Sequence, residues 1–262
     1  MTEEPSRPEV IVLRDLWAGY GGAPVLESVD LTVLEGDFIG IVGPNGGGKT
    51  TLIKVLLGLL VPARGSVRIL GRPPAEGRDR IGYVPQHVEY DLDFPIRVWD
   101  AARMGRLRNR GLFRRYTRED DDRVEEALRE VGMIDLRFRP MGGLSGGQRQ
   151  RVYVARALAM DAPILLLDEP TASVDPHAST GMYELLRELN DSVTILMATH
   201  DVGAISTYVK TVGCLNRHLH YHGGSQITPE MLEQAYHCPV DLIAHGVPHR
   251  VFPEHTHGGD QE

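Results

Sequence analysis

Over the first seventy or so positions apolar residues alternate with polar ones, the two-residue period of a half-buried strand. Val10 to Leu16 and Val25 to Val33 carry this pattern, and Gly19 to Gly22 supplies a turn between them. Asp37 to Val42 is a short apolar strand. The period then changes. Leu52, Val55, Leu56 and Leu59 fall at helical spacing and predict a helix over Lys49 to Leu60, entered through the glycine-rich segment Gly43 to Gly48. A strand pair follows, Ser66 to Leu70 and Arg80 to Val84. Helical periodicity in Arg97 to Gly105, Arg118 to Val131 and Gly146 to Met160 predicts a helical insert over roughly residues 87 to 160. Beyond it, buried strands at Ile164 to Leu167 and Val193 to Ala198 enclose a helix at Pro176 to Leu189. From about Thr211 two short strands lead to a helix opened by Thr228-Pro229 and a His-rich tail. No motif or segment repeats.

This order predicts an α/β fold that opens with strands and turns. The expected division is one domain over residues 8–225 and a C-terminal helix and tail over 226–262. Composition agrees with a globular chain: 42% of the 262 residues are hydrophobic and 24% charged. A formal net charge of -8 argues against nucleic acid as the main partner, because phosphate backbones select basic surfaces. No run approaches the ~20 apolar residues that span a bilayer. The N-terminus, MTEEPSRPEV, has neither a basic start nor an apolar core of the signal-peptide kind. Two cysteines, Cys214 and Cys238, suit a reducing compartment and make no disulfide framework.

The candidate chemistry begins at Gly43-Pro44-Asn45-Gly46-Gly47-Gly48-Lys49-Thr50, which fits G-x-x-x-x-G-K-[ST]. The glycines let backbone N–H groups approach phosphate oxygens, and the following helix adds its positive end. Lys49 offers a cation to the β- and γ-phosphates, the Thr50 hydroxyl suits Mg²⁺, and Thr51 completes the set. Ile164 to Asp168 and Glu169 form a buried strand that delivers two carboxylates at its C-terminal end. In these positions Asp168 would hold Mg²⁺ and Glu169 would polarise an attacking water. Leu144-Ser145-Gly146-Gly147-Gln148 reads as a second phosphate cradle at the start of a helix.

With that turn unaltered, residues 10 to 216 resemble the ATP-binding cassette (ABC) ATPases: a P-loop core, an antiparallel β-subdomain and a helical signature subdomain. The resemblance implies further roles. Tyr20 is similar to the aromatic that stacks on adenine, Gln86 to the glutamine that reaches Mg²⁺ and the lytic water, and His200 to the histidine at the γ-phosphate. Ser173-Val174-Asp175 resembles the loop that crosses to the partner subunit. It implies ATP and Mg²⁺ as ligands and two copies clamping ATP between the phosphate loop of one and Ser145–Gln148 of the other. The homodimer would sit on a transmembrane permease at the cytoplasmic face of the inner membrane, with a solute-binding protein as indirect partner and no nucleic acid.

His87 to Ile96, with its Asp93-Phe94-Pro95 stretch, followed by Val98-Trp99-Asp100, is similar to the manganese and zinc uptake branch of that family. An iron-chelate or other importer and a soluble ABC ATPase of DNA repair or translation are the alternatives. A non-hydrolytic scaffold is a third, and Glu169 and His200 count against it. Gly47 and Thr50 stand where the family frequently carries Ser or Ala, and Ser; neither removes a required group. Two features stay open. Eight of the eleven histidines follow Leu215, and His218, His220 and His222 alternate, so the tail is either a solvated extension or a metal site involving His237 and Cys238. Seven arginines between Arg103 and Arg118 are either a solvated helical face or a contact for anionic lipid or the permease.

Overall fold

A computed structural model describes residues 7–86, 94–109, 115–172, 176–201 and 207–222, and the backbone of 241–245 and 247–251. The chain opens with β1 (Glu9–Ala18), β2 (Leu26–Leu34) and β3 (Phe38–Val42), then α1 (Lys49–Leu56), β4 (Arg64–Ile69), α2 (Pro74–Gly77) and β5 (Ile81–Val84). The helical stretch holds α3 (Val98–Arg103), α4 (Arg118–Glu130) and α5 (Gly146–Leu158). After it come β6 (Ile164–Asp168), α6 (Pro176–Leu189), β7 (Thr194–Thr199), β8 (Thr211–Asn216) and β9 (His218–His222), and a hairpin of β10 (Asp241–His245) and β11 (Val247–Val251).

Beside the β10–β11 hairpin, two larger sheets organise the described elements. β1 lies between β2 and β4 in an antiparallel sheet. The second has the order β5-β6-β7-β3-β8-β9, parallel except for β9. The antiparallel N-terminal part is as expected, and the core strands pair in parallel. The strand pair is corrected: Ser66–Leu70 pairs with β1, whereas Arg80–Val84 forms the edge of the other sheet beside β6. Their separation follows from burial, since β5 is almost wholly covered while β4 exposes its first half. Helix α1 also stops four residues short of Leu60. Gly58 adopts a left-handed conformation (φ 67°), an ordinary helix stop, and leaves Leu59 exposed.

The core sheet separates two hydrophobic clusters because its residues alternate in direction. Ile39, Ile41, Leu166 and Leu196 pack with β1, β2 and α1, while Phe38, Val42, Leu165, Leu167 and Met197 pack with α3, α4, α5 and α6. Burial pushes the Cys214 thiol, on β8, up to about 11, so it is an unreactive packing residue. The arginine cluster divides. Arg106 is buried and donates to Asp120 (3.1 Å), Asp161 (2.8 Å) and the Ala159 carbonyl (2.8 Å), so it is an internal tie and not part of a solvated face. Arg103 pairs with Asp121 (2.7 Å) and lies over the Tyr116 ring. Among the described residues no helix is long and apolar enough to cross a membrane.

Candidate active site

Parallel pairing brings four strand ends to one edge of the core sheet. Val42 is level with Thr199, Val84 with Leu167, and Asp168 with Ala198. The residues just beyond those ends are Gly43 to Thr50, Gln86, Glu169 and His200, all candidates by sequence. Open parallel sheets take their ligands at this edge.

The phosphate loop rests on other backbone. A Cβ on Gly43 would lie 2.0 Å from the Leu215 carbonyl oxygen. Gly48 has φ 104° and would thrust a Cβ to 2.6 Å from Leu26 Cδ2, so both positions admit glycine alone. Gly47 is nearly as confined, 2.9 Å from the same Leu215 oxygen, and its N–H closes the loop on the Pro44 carbonyl (3.1 Å). Asn45 and Gly46 are exposed at the tip. Lys49 is buried; its Nζ donates to the carbonyls of Gly43 (2.8 Å) and Pro44 (3.2 Å) and lies 3.4 Å from Glu169 Oε1. Tyr20 holds its ring 59% exposed above α1, with Lys54 Nζ 5.2 Å from the centroid and its hydroxyl 3.4 Å from Thr51 Oγ1. An open aromatic face at that position can take a flat base.

The two carboxylates differ in their surroundings. Asp168 is buried, and burial first and the Glu169 charge second raise its pKa, against hydrogen bonding from the Thr50 hydroxyl and the charges of Lys49 and Lys54. Its Oδ1 has no hydrogen-bond partner. A buried, unpaired carboxylate oxygen beside a hydroxyl is a hard-oxygen donor set that fits Mg²⁺. Tyr83 is half-buried nearby, and burial with the Asp168 charge pushes its hydroxyl up to about 12.

Glu169 has φ 49°, a left-handed conformation that costs a non-glycine residue about 1–2 kcal/mol. Its N–H is held by the Ala198 carbonyl (2.8 Å), and Oε2 accepts from the His200 N–H (3.2 Å) and faces its Nδ1 (2.6 Å). A carboxylate can only accept, so Nδ1 carries a proton and Nε2 is left for a further partner.

Ser145 to Gln148 stand apart from this group, at the start of α5. Ser145 Oγ accepts from the Gln148 N–H (3.2 Å) and Gln148 Oε1 from the Ser145 N–H (3.0 Å), a complete capping box. Gly146 and Gly147 form the first turn above it. Asp175 and His87–Asp93 lie outside the described residues, as do the Thr228 helix, His237 and Cys238. His218 and His220 share a face of β9, and among the described residues no three His, Cys, Asp or Glu side chains gather as a metal site. Lys54, Tyr83 and Leu215 are the neighbours that sequence reasoning missed. Lys54 is one helical turn from Thr50 and could have been found; Leu215 acts through its backbone and leaves no sequence signal.

A family profile described as "ABC transporter" matches residues 26–172. The high-affinity zinc uptake system ATP-binding protein ZnuC of Bacillus subtilis is 42% identical over 211 residues, covering 79% of this chain and 91% of the relative. The zinc uptake system ATP-binding protein ZurA of Listeria innocua is 37% identical over 222 residues, covering 83% and 86%. In three dimensions the chain is similar to cbiO1 of Clostridium perfringens, part of the ABC transporter complex cbiONQ, with TM-score 0.73, 28% identity and coverage of 83% and 89%.

Proposed function

The chain belongs to the ABC transporter family of ATP-binding proteins, and from that premise we propose that it is the ATP-hydrolysing subunit of an importer for zinc or a related divalent metal. The observation that carries the ATPase reading is the gathering of Lys49, Gln86, Asp168, Glu169 and His200 at one sheet edge. The metal reading is supported by likeness to two zinc uptake proteins over most of both chains. Their names give zinc; manganese has no such support.

In this reading the N–H groups of Gly43 to Thr51 and the end of α1 take the phosphates. Lys49, now on two carbonyls and Glu169, exchanges them for β- and γ-phosphate oxygens. Tyr20 stacks on the adenine. Thr50 and Asp168, with Gln86, would hold Mg²⁺, which when bound would neutralise phosphate charge. Glu169 orients the water and takes its proton, and His200 donates from Nδ1 to that carboxylate and, as the imidazolium, from Nε2 to the γ-phosphate. Ser145 to Gln148, with Asp175, complete the site of a second copy in an isologous dimer. That dimer sits on a transmembrane permease at the cytoplasmic face, fed by a solute-binding protein. No nucleic acid enters the cycle.

Glu169→Gln tests the base. It keeps ATP affinity near wild type and lowers phosphate release at least about 10²-fold; phosphate release near the wild-type rate would remove Glu169 from that role. For the metal, a deletion strain starved of zinc by a chelator regains growth with the wild-type gene and not with Glu169→Gln. Equal growth of all three strains would refute zinc import.

A further inference from the structure

We propose that Arg217 is a positioning residue for nucleotide recognition: it fixes the adenine-side loop, Gly19 to Pro24, against the phosphate loop. This deepens the ATP-binding reading and rests on it.

Arg217 stands at the tight turn between β8 and β9 with φ 61°, a conformation that glycine adopts freely and arginine does not. Its backbone and its side chain hold different neighbours. Its N–H donates to the Gly47 carbonyl (3.1 Å), and its carbonyl accepts from the Glu27 N–H (2.9 Å). Its guanidinium donates to the Pro24 carbonyl (3.2 Å) and pairs with the Glu27 carboxylate. His218 reinforces the same point, with Nδ1 2.8 Å from the Glu27 carbonyl and Nε2 3.5 Å from its carboxylate.

The backbone of Arg217 therefore grips the phosphate loop, and its side chain grips the end of the segment that carries Tyr20. That segment is closed across the hairpin by the Val25 N–H on the Ala18 carbonyl (2.8 Å), and within it Tyr20 touches Thr51 at 3.4 Å with Lys54 beneath the ring. Val25 and Leu26, which follow Pro24, run beneath Gly48, where Leu26 Cδ2 would be 2.6 Å from a Cβ. A shift of Pro24 thus moves the aromatic ring relative to the phosphates. A glycine at 217 would make the turn with less strain and would lose only this grip on Pro24 and Glu27.

Arg217→Gly isolates the side chain, because the left-handed turn and both backbone bonds survive. Binding of a fluorescent ATP analogue to the full-length protein is expected to weaken roughly five- to tenfold, with the unfolding midpoint little changed. Arg217→Lys, which keeps a cation on Glu27, recovers most of the loss. In the Tyr20→Ala background Arg217→Gly has no further effect, since the ring it positions is gone. In the assembled transporter the KM for ATP rises by the same factor while kcat holds. Wild-type affinity in Arg217→Gly overturns the proposal, and so does an undiminished loss in the Tyr20→Ala background, which would mean that the arginine acts on the phosphate loop alone. Failure of the wild-type protein to bind the analogue would instead refute ATP binding, and the positioning role would fall with it.

Discussion

The starts of α1 and α5, the two proposed phosphate cradles, are built in opposite ways. The start of α1 is held from outside: Gly43 and Gly47 lie on the Leu215 carbonyl, Gly48 on Leu26, Gly47 takes the Arg217 N–H, and Lys49 reaches Glu169. The start of α5 is held by itself, through the reciprocal bonds of Ser145 and Gln148. A turn braced by its neighbours has one position and suits a fixed anchor within a chain. A self-capped turn carries its shape wherever its helix goes, which suits a group offered to another molecule's nucleotide.

Gly43→Ala presses hardest on this contrast. The added carbon meets backbone at 2.0 Å, which neither side can yield cheaply, so we expect roughly 3 kcal/mol of lost stability with loss of ATP binding. Urea denaturation and nucleotide titration read both. Ser145→Ala removes the cap, at about 1 kcal/mol, together with the hydroxyl proposed to face a second copy's nucleotide. ATP affinity of the isolated chain stays at the wild-type level while turnover of the assembled transporter collapses; a parallel fall in isolated affinity would erase the distinction between the two turns. The smallest effect lies in the braced region. Because burial raises the Asp168 pKa, the folded state holds its proton more tightly than the unfolded chain does. Its contribution to stability therefore falls as pH rises from the ordinary carboxylate range through the raised value. Asp168→Asn, assayed without Mg²⁺, should raise the melting temperature by a few degrees at neutral pH, and the gain should vanish in acid. An equal gain at every pH would assign it to packing instead.

Much of this was legible because glycine, lysine and carboxylate chemistry is written locally. Gly43 to Thr50 and Asp168-Glu169 each sit where a strand ends, and strand ends follow from short apolar runs. Sheet membership is different. Ser66–Leu70 and Arg80–Val84 look alike as isolated strands, and only their partners, β1 and β6, separate them. The arginine cluster hid Arg106 for the same reason, since Asp161 approaches it from beyond α5. Helix α1 was overrun because Leu59 continues the apolar period, although Gly58 carried the stop signal. The left-handed backbones of Glu169 and Arg217 had no signal at all, since neither residue type advertises that conformation.

The Leu215 carbonyl also bears on how the protein is made. Gly43 and Gly47 leave the ribosome early, while the strand end on which they rest is synthesised far later. A nascent chain that stops before β8 carries every phosphate-facing residue of α1 and lacks the surface beneath them. Nucleotide would then find no formed cradle on incomplete chains, and its capture would report that the core sheet has closed.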